Sequence, residues 1–463
     1  MDPTNGVSLV AAAPTEAANV LETGLSPLGL HSAFWWRTTG YSLAYMLQQA
    51  GYTVHDQYTS LLFYRSIIIP AMGEQPDVGG RPSQWESYTT DDFSPIEYSW
   101  NWDGNGDKPK IRFAIEAIGP ETGASVDPFN QRRSEDLIST LYGTSRHIDS
   151  QLFSHFWNTL LVSSKDSTLI SERAPPYSHR SSLFVACELE RNKVHVKAYF
   201  MPMLRSLETN QPRTQVVARA IRSLQKNHGE ALYLALDDLI KFVQTDPMGS
   251  QTEIEMVSVD CLDLEEARIK VYIRHPQTSW ESVRNMMTMN GQIKIAEDDL
   301  EELWHLWRAV LSLDRDFSRS AELPKCDHST SGIFYCFYAR AKDESPTPKL
   351  YMPVKHYGRN DRAIADGLVQ YFGDRGKDRY IANYKDVIGQ LSSHRPLESQ
   401  CGIHTYISSR FTDRGLSVTS YLNPEIYHPA RWTSRSSPHL ADEYVFGRDY
   451  SASARYDSWK TWK

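Results

Sequence analysis

The strongest constraint on this chain is a repeat. Two helix-like stretches are followed by two strand-like stretches, and the pattern recurs about five times at roughly 75–85 residues per unit. Helical spacing is clearest at 297–312, where Leu300, Leu303, Trp304, Trp307 and Leu311 fall on one stripe. It recurs at 376–391 with Tyr380, Ile381, Tyr384, Ile388 and Leu391, and in the pairs 35–49 with 56–70 and 214–226 with 230–244. Apolar side chains at i, i+3, i+4 and i+7 let one helix face pack while the other stays wet. The pair 128–142 and 147–162 is the faintest.

The strand-like runs come in twos across polar turns: 94–101 with 110–117, 182–189 with 193–201, 253–259 with 267–274, 332–340 with 348–355, and 403–411 with 416–422. Such spacing predicts hairpins. Ten antiparallel strands with their helices segregated outside close most simply into one barrel, an α+β fold. No Pro/Gly/Ser-rich linker divides the chain, so 31–430 is expected to be one barrel domain. Residues 1–30, rich in Ala, Pro and Thr, are expected to be poorly ordered, and 431–463 form a C-terminal extension.

In a helix-wrapped barrel the outer strand face must be apolar, which leaves the polar face for the lumen. Val196, Ala198 and Phe200, like Ile269, Val271 and Ile273, then point outward. The opposite face carries cations next to tyrosines: Lys197 with Tyr199, Arg268 and Lys270 with Tyr272, Lys349 with Tyr351, Arg112 at the matching place, and Tyr421 near the end of the last strand. Any one such strand reads equally well as the solvated side of an amphipathic hairpin. The recurrence in four units is what favours a lumen.

A lumen with five cations calls for an anion, because buried charge is costly unless compensated. A diphosphate suits them. Each ion pair at about 4 Å contributes about 4 kcal/mol before desolvation at an effective dielectric near 20. Arginine binds such a group as a fork and lysine as a point charge. The tyrosine faces would stabilise an allylic cation by about 0.5–2 kcal/mol each, and closure would keep water from it. Glu97 shares a face with Ser99 on the first strand. It reads either as a solvated hairpin acid or as the acceptor of an N–H or O–H from an aromatic substrate. Among the lumen cations it is expected to stay ionised.

Other features exclude more than they suggest. With 49 basic against 57 acidic side chains the net charge is −8, which argues against nucleic-acid binding by bulk electrostatics. Five scattered cysteines without CxxC spacing predict neither a zinc site nor a disulfide framework, and fit a reducing cytosol. No signal peptide or membrane span is expected. There is no DDxxD element. The pair Asp91–Asp92 is followed by Pro95 and reads as loop. Asp103, Asn105 and Asp107 mimic the start of a calcium loop, but the twelfth position is Ala114. No metal site is therefore predicted. A metal-dependent terpene cyclase fits poorly, and a non-catalytic barrel holding a phosphorylated isoprenoid would leave Glu97 and the tyrosines without a role.

The stretches FWWRTTGYSLAYMLQQAGY, LLFYRSIIIPAMG, TDDFSPIEYSWNW, DPFN, VKAYFMP, RIKVYIR, KLYMPVKHYG and TSYLNP together resemble the fungal dimethylallyltryptophan synthase family of aromatic prenyltransferases, from about Phe34 to Tyr421. The resemblance implies a ten-stranded barrel of five ααββ repeats and metal-independent transfer from dimethylallyl diphosphate, a co-substrate, to a small aromatic acceptor, with no resident cofactor. It implies that Glu97 hydrogen-bonds the aromatic nucleophile. Arg112, Lys197, Arg268, Lys270 and Lys349 would bind the diphosphate, and Tyr199, Tyr272, Tyr351 and Tyr421 would shield the cation. A homodimer is the default assembly. Three positions depart from the tryptophan-using pattern: Phe184 stands near a lysine's place, Glu255 lies where an arginine holds the amino-acid carboxylate, and Ser417 replaces a further tyrosine. These departures make a larger indole, a bis-indolyl quinone or a fused-ring phenol as plausible an acceptor as free tryptophan.

Overall fold

Each of the ten strands has one apolar and one mixed face, and the sheet resolves this by closing on itself. The computed structural model describes residues 13–103, 108–144, 148–176, 178–190, 193–228, 233–377 and 379–432. The strands are β1 (Ile96–Trp102), β2 (Lys110–Ile115), β3 (Leu183–Glu190), β4 (Lys193–Phe200), β5 (Glu253–Asp260), β6 (Arg268–His275), β7 (Ile333–Arg340), β8 (Thr347–Met352), β9 (His404–Thr412) and β10 (Gly415–Leu422). Every strand pairs antiparallel with its sequence neighbours, and β1 pairs with β10, with Ser99 opposite Tyr421, so the barrel has no edge. The expected α+β barrel of five repeats is the observed fold. Its two register shifts fall at Glu255 and Tyr421, where a bulge re-aims the local side chains.

The outward face is the core. Phe113, Val185, Phe200, Ile269, Val271 and Phe337 are buried in one apolar cluster with the surrounding helices. Polar pins set the helix positions: the Tyr98 hydroxyl donates to the Thr39 carbonyl and the Tyr64 hydroxyl to Thr39 Oγ1, both at 2.8 Å. Among the helices that escaped the periodicity are Trp280–Met287 and Asp361–Gly373. The second carries small residues at its contact with the helix Glu297–Leu311. A Cβ on Gly367 would lie 2.1 Å from the Ala309 carbonyl oxygen.

Two expectations are corrected. The N-terminal segment is not irregular throughout, since Glu16–Gly24 is a helix. Thr15 caps it by accepting from the Ala18 N–H at 3.3 Å, and Ala17, Ala18 and Leu21 are buried. The alanines taken as a sign of disorder are the best helix formers and small enough to pack closely. Residues 1–12 lie outside the described residues, as do 433–463, while Arg431 is buried and Trp432 stacks on Phe34. The run 348–355 is not strand to its end. β8 stops at Met352 because Pro353 has no N–H for the ladder, and a short helix, Val354–Tyr357, follows. No helix among the described residues is long and apolar enough to cross a membrane, and the five cysteines form no disulfide.

The helix contact at Gly367 generates a paired test. Gly367→Ala is expected to destabilise the protein by about 1–3 kcal/mol through overpacking. Gly389→Ala, in the exposed face of the helix Ile381–Leu391 with nothing within 4 Å of the new Cβ, should stabilise it by about 0.5–1 kcal/mol. Denaturant midpoints of the two variants check this, and equal shifts would refute the packing argument.

Candidate active site

The inward faces enclose a cavity of about 330 Å³, inside the size range of small-molecule pockets. Arg112, Lys197, Arg268, Lys270 and Lys349 all line it, with Tyr199, Tyr272, Tyr351, Tyr421 and Glu97. Strand alternation thus brings every sequence-predicted residue to one chamber.

The structure adds two acids that the sequence reading missed, and they organise the cations. Glu188 of β3 stands opposite Arg112 and receives Lys197 Nζ at 2.6 Å and Arg112 Nη2 at 3.1 Å. Asp260 of β5 stands opposite Lys197 and receives Arg268 Nε at 2.6 Å and the Lys270 ammonium. Burial works to raise both carboxyls, but the adjacent cations outweigh it and hold both below the usual carboxylate range. Burial draws Lys270 down to about 8 against the pull of Asp260, so this pair stays ionic at neutral pH. Glu188 was legible as the inward partner of Glu190 in ACELE. It was passed over because β3 otherwise reads as apolar.

Lys349 differs from the other four. Among the described residues no carboxylate pairs with it. Its Nζ lies 3.4 Å from the Tyr421 hydroxyl, and 4.7 and 5.8 Å from the centres of the Tyr351 and Tyr421 rings. Lys110 of β2, Arg340 of β7 and Arg410 of β9, also missed, add further cations to the wall.

The aromatic side chains form a continuous layer. Ring centres are 5.9 Å apart for Tyr199–Tyr272, 5.8 Å for Tyr272–Tyr351 and 5.5 Å for Tyr351–Tyr421. Phe334 and Tyr406 extend it, with Phe334 5.7 Å from Tyr351 and 5.9 Å from Tyr406. Both were readable from alternation, since they share the inward face with Cys336 and Ser408.

Glu97 is not the simple carboxylate expected. Burial pushes it up to about 7, against a 2.6 Å hydrogen bond from Thr405 Oγ1 and the more distant charge of Lys355. The physical reason is burial, which outweighs both, and the cation that acts on Glu97 is Lys355 rather than Arg112, Lys197, Arg268 or Lys270. Lys355 is itself neutralised by Asp91 at 2.8 Å. Asp91 and Asp92 are loop residues, as read, and Asp92 accepts from Thr90, Ser94 and the Tyr427 N–H.

Of the three departures, Phe184 lies opposite Tyr199. Ser417 is tied by hydrogen bonds to Asn101 and Asp103, each at 3.2 Å. Glu255 receives Arg213 at 3.1 Å and Arg274 at 3.3 Å, and the Arg274 guanidinium lies 4.6 Å from the centre of the Phe334 ring. An arginine therefore does reach this end of the barrel, from β6 rather than β5. The turn residues Asn105 and Asp107 lie outside the described residues. Among the described residues two clusters come within metal-ligand reach, Asp91–His328–His356 and His394–Glu425–His428. In the first, Lys355 occupies Asp91 and Thr330 Oγ1 bridges the imidazoles at 2.9 and 2.8 Å. In the second, Arg395 holds Glu425.

Comparison with known proteins agrees with this geometry. The chain is 34% identical over 450 residues to 7-dimethylallyltryptophan synthase of Aspergillus fumigatus, covering 92% of each. It is 31% identical over 407 residues to 4-O-dimethylallyl-L-tyrosine synthase of Claviceps purpurea, covering 87% of this chain and 90% of that one. The crystal structure of AnaPT from Neosartorya fischeri shares the fold with a TM-score of 0.76 at 24% identity, over 89% of this chain and 98% of that one. The sequence profile of tryptophan dimethylallyltransferase matches residues 31–387. The chain belongs to the tryptophan dimethylallyltransferase family and is a prenyltransferase.

Proposed function

We propose that this protein transfers a dimethylallyl group from dimethylallyl diphosphate to an electron-rich aromatic acceptor, an indole or a phenol, without a metal ion. The observation that carries the reading is the company of groups in one lumen: a set of cations, a layer of tyrosines, and Glu97, a buried acid with no cation paired to it among the described residues. Arg112, Lys197, Arg268, Lys270, Lys349 and Arg410 would receive the diphosphate. Their fixed charges would stabilise it as the carbon–oxygen bond breaks and the electron pair leaves with it. The allylic cation would form between Tyr199, Tyr272, Tyr351 and Tyr421, whose π faces attract it without competing strongly as nucleophiles.

Glu97 would accept the acceptor's N–H or O–H and raise the electron density of the ring that attacks. The arenium ring would then give its proton to water or to the released diphosphate, which restores aromaticity. Relatives named for tryptophan and for tyrosine prenylation support an acceptor class wider than indole. Phe184 and the Arg213–Glu255–Arg274 network favour a flat acceptor larger than a free amino acid.

Incubation with dimethylallyl diphosphate, EDTA and a pooled panel of tryptophan, tyrosine, cyclic dipeptides, indole terpenoids and polyphenolic polyketides tests the proposal by mass spectrometry. A product heavier by one dimethylallyl group, formed in the presence of EDTA, is expected. Diphosphate binding with no product from any acceptor would favour a carrier, and strict magnesium dependence would overturn the metal-free part.

Glu97 supplies a sharper test. Its ionised form is the much stronger acceptor and the one that can pull the proton away from the ring heteroatom, and its elevated value lies near 7. Activity should therefore fall about tenfold per unit as pH drops below about 7 and level off above it. Glu97→Gln should lose about 10²–10⁴-fold in turnover while donor affinity changes little. A flat acid limb in the wild type would remove Glu97 from the mechanism.

A further inference from the structure

We infer that Lys349 gains a proton from solvent when the donor's diphosphate binds, so that donor capture is coupled to proton uptake. The inference rests on the donor reading above and deepens it.

The argument begins with how unevenly the five predicted cations are compensated. Arg112 and Lys197 share Glu188, and Arg268 and Lys270 share Asp260. Lys349 alone among them has no carboxylate among the described residues. The groups facing it from the neighbouring strands make matters worse. Arg112 on β2, Lys197 on β4, Lys270 on β6 and Arg410 on β9 are cations. Tyr272, Tyr338, Tyr351 and Tyr421 are neutral phenols. Tyr199, Arg268 and the acids Glu97, Glu188 and Asp260 line the same chamber, but Glu188 and Asp260 are held by other cations and none of the three acids pairs with Lys349 among the described residues. Cys336 is its cross-strand partner on β7. Burial pushes that thiol up to about 11, so it supplies no anion at neutral pH.

An ammonium in this setting is both desolvated and repelled. Burial first, and the charges of Arg112, Arg410 and Lys197 after it, hold Lys349 well below the ordinary lysine range. On this inference it rests as an amine in the free protein. A polyanion in the chamber reverses the sign of its surroundings, and the amine then takes up a proton and becomes a charge-assisted donor. When diphosphate leaves, the proton leaves Lys349 again, so each turnover returns the residue to its starting state.

The sign of the pH dependence follows. Lys349 binds more protons in the donor complex than in the free protein. Donor affinity should then fall with rising pH, by up to tenfold per unit, between its depressed free-state value and its value in the complex. Below that window Lys349 is charged in both states and the dependence vanishes.

Calorimetry with the slowly reacting analogue dimethylallyl thiolodiphosphate tests this. The titration is run near pH 7.5, above the phosphate pKa of about 6, in buffers of differing ionisation enthalpy. The wild type should take up about one proton per bound analogue. Lys349→Arg, charged at every accessible pH, should bind without that uptake. Lys349→Gln should also lose the uptake and bind about tenfold more weakly or worse. Lys270→Arg, the control for the other titrating lysine, should keep it. Undiminished uptake in Lys349→Arg, or its loss in Lys270→Arg alone, overturns the inference. So does wild-type binding without uptake, which leaves the donor reading standing. A wild-type protein that does not bind the analogue overturns both.

Discussion

The chamber depends on two buried carboxylates. Without Glu188 and Asp260, five cations would face one another across a few ångströms of low-dielectric space, and the barrel would be held together against its own charge. With them, four of the five are paired before any substrate arrives. The pairing fixes side chains that would otherwise lose much rotamer entropy on binding. The site is therefore organised by charge pairs whose acids lie in the wall.

The sequence made the skeleton readable because a closed barrel imposes a strict rule on it. One face of every strand must suit helices, and the alternation in VKAYF and RIKVYI shows which face that is. Ten strands and all ten proposed site residues followed from this period. What escaped were features that alternation does not encode. Asp260 closes a strand, where it reads as a turn residue. Arg213 comes from a helix and Arg274 from a strand end, and only the three-dimensional approach to Glu255 joins them. The ionisation of Glu97 escaped for a related reason. A count of lumen cations predicts a carboxylate, whereas the distribution of those cations determines its charge.

The two ends of the lumen differ in character. At the diphosphate-binding end cations outnumber acids, and the surplus suits a ligand bringing several negative charges. Around Glu97 charges are matched one to one: Lys355 with Asp91, Arg274 with Glu255, and Arg213 with Glu253 as well as Glu255. A neutral, flat molecule meets little electrostatic resistance there, and aromatic surfaces such as Phe184, Phe334 and Tyr406 suit it.

The pairing of β1 with β10 bears on how the molecule comes into being. Ser99 and Tyr421 meet across more than 300 residues of sequence, so the last of the described strands to leave the ribosome completes the first hairpin's surroundings. Until then the growing sheet has two open edges and no sealed interior. A chain stopped before β10 would lack Tyr421 and expose a ladder ready to pair with another molecule. The enclosure is an all-or-nothing product of synthesis, which no contiguous fragment of the repeat can supply.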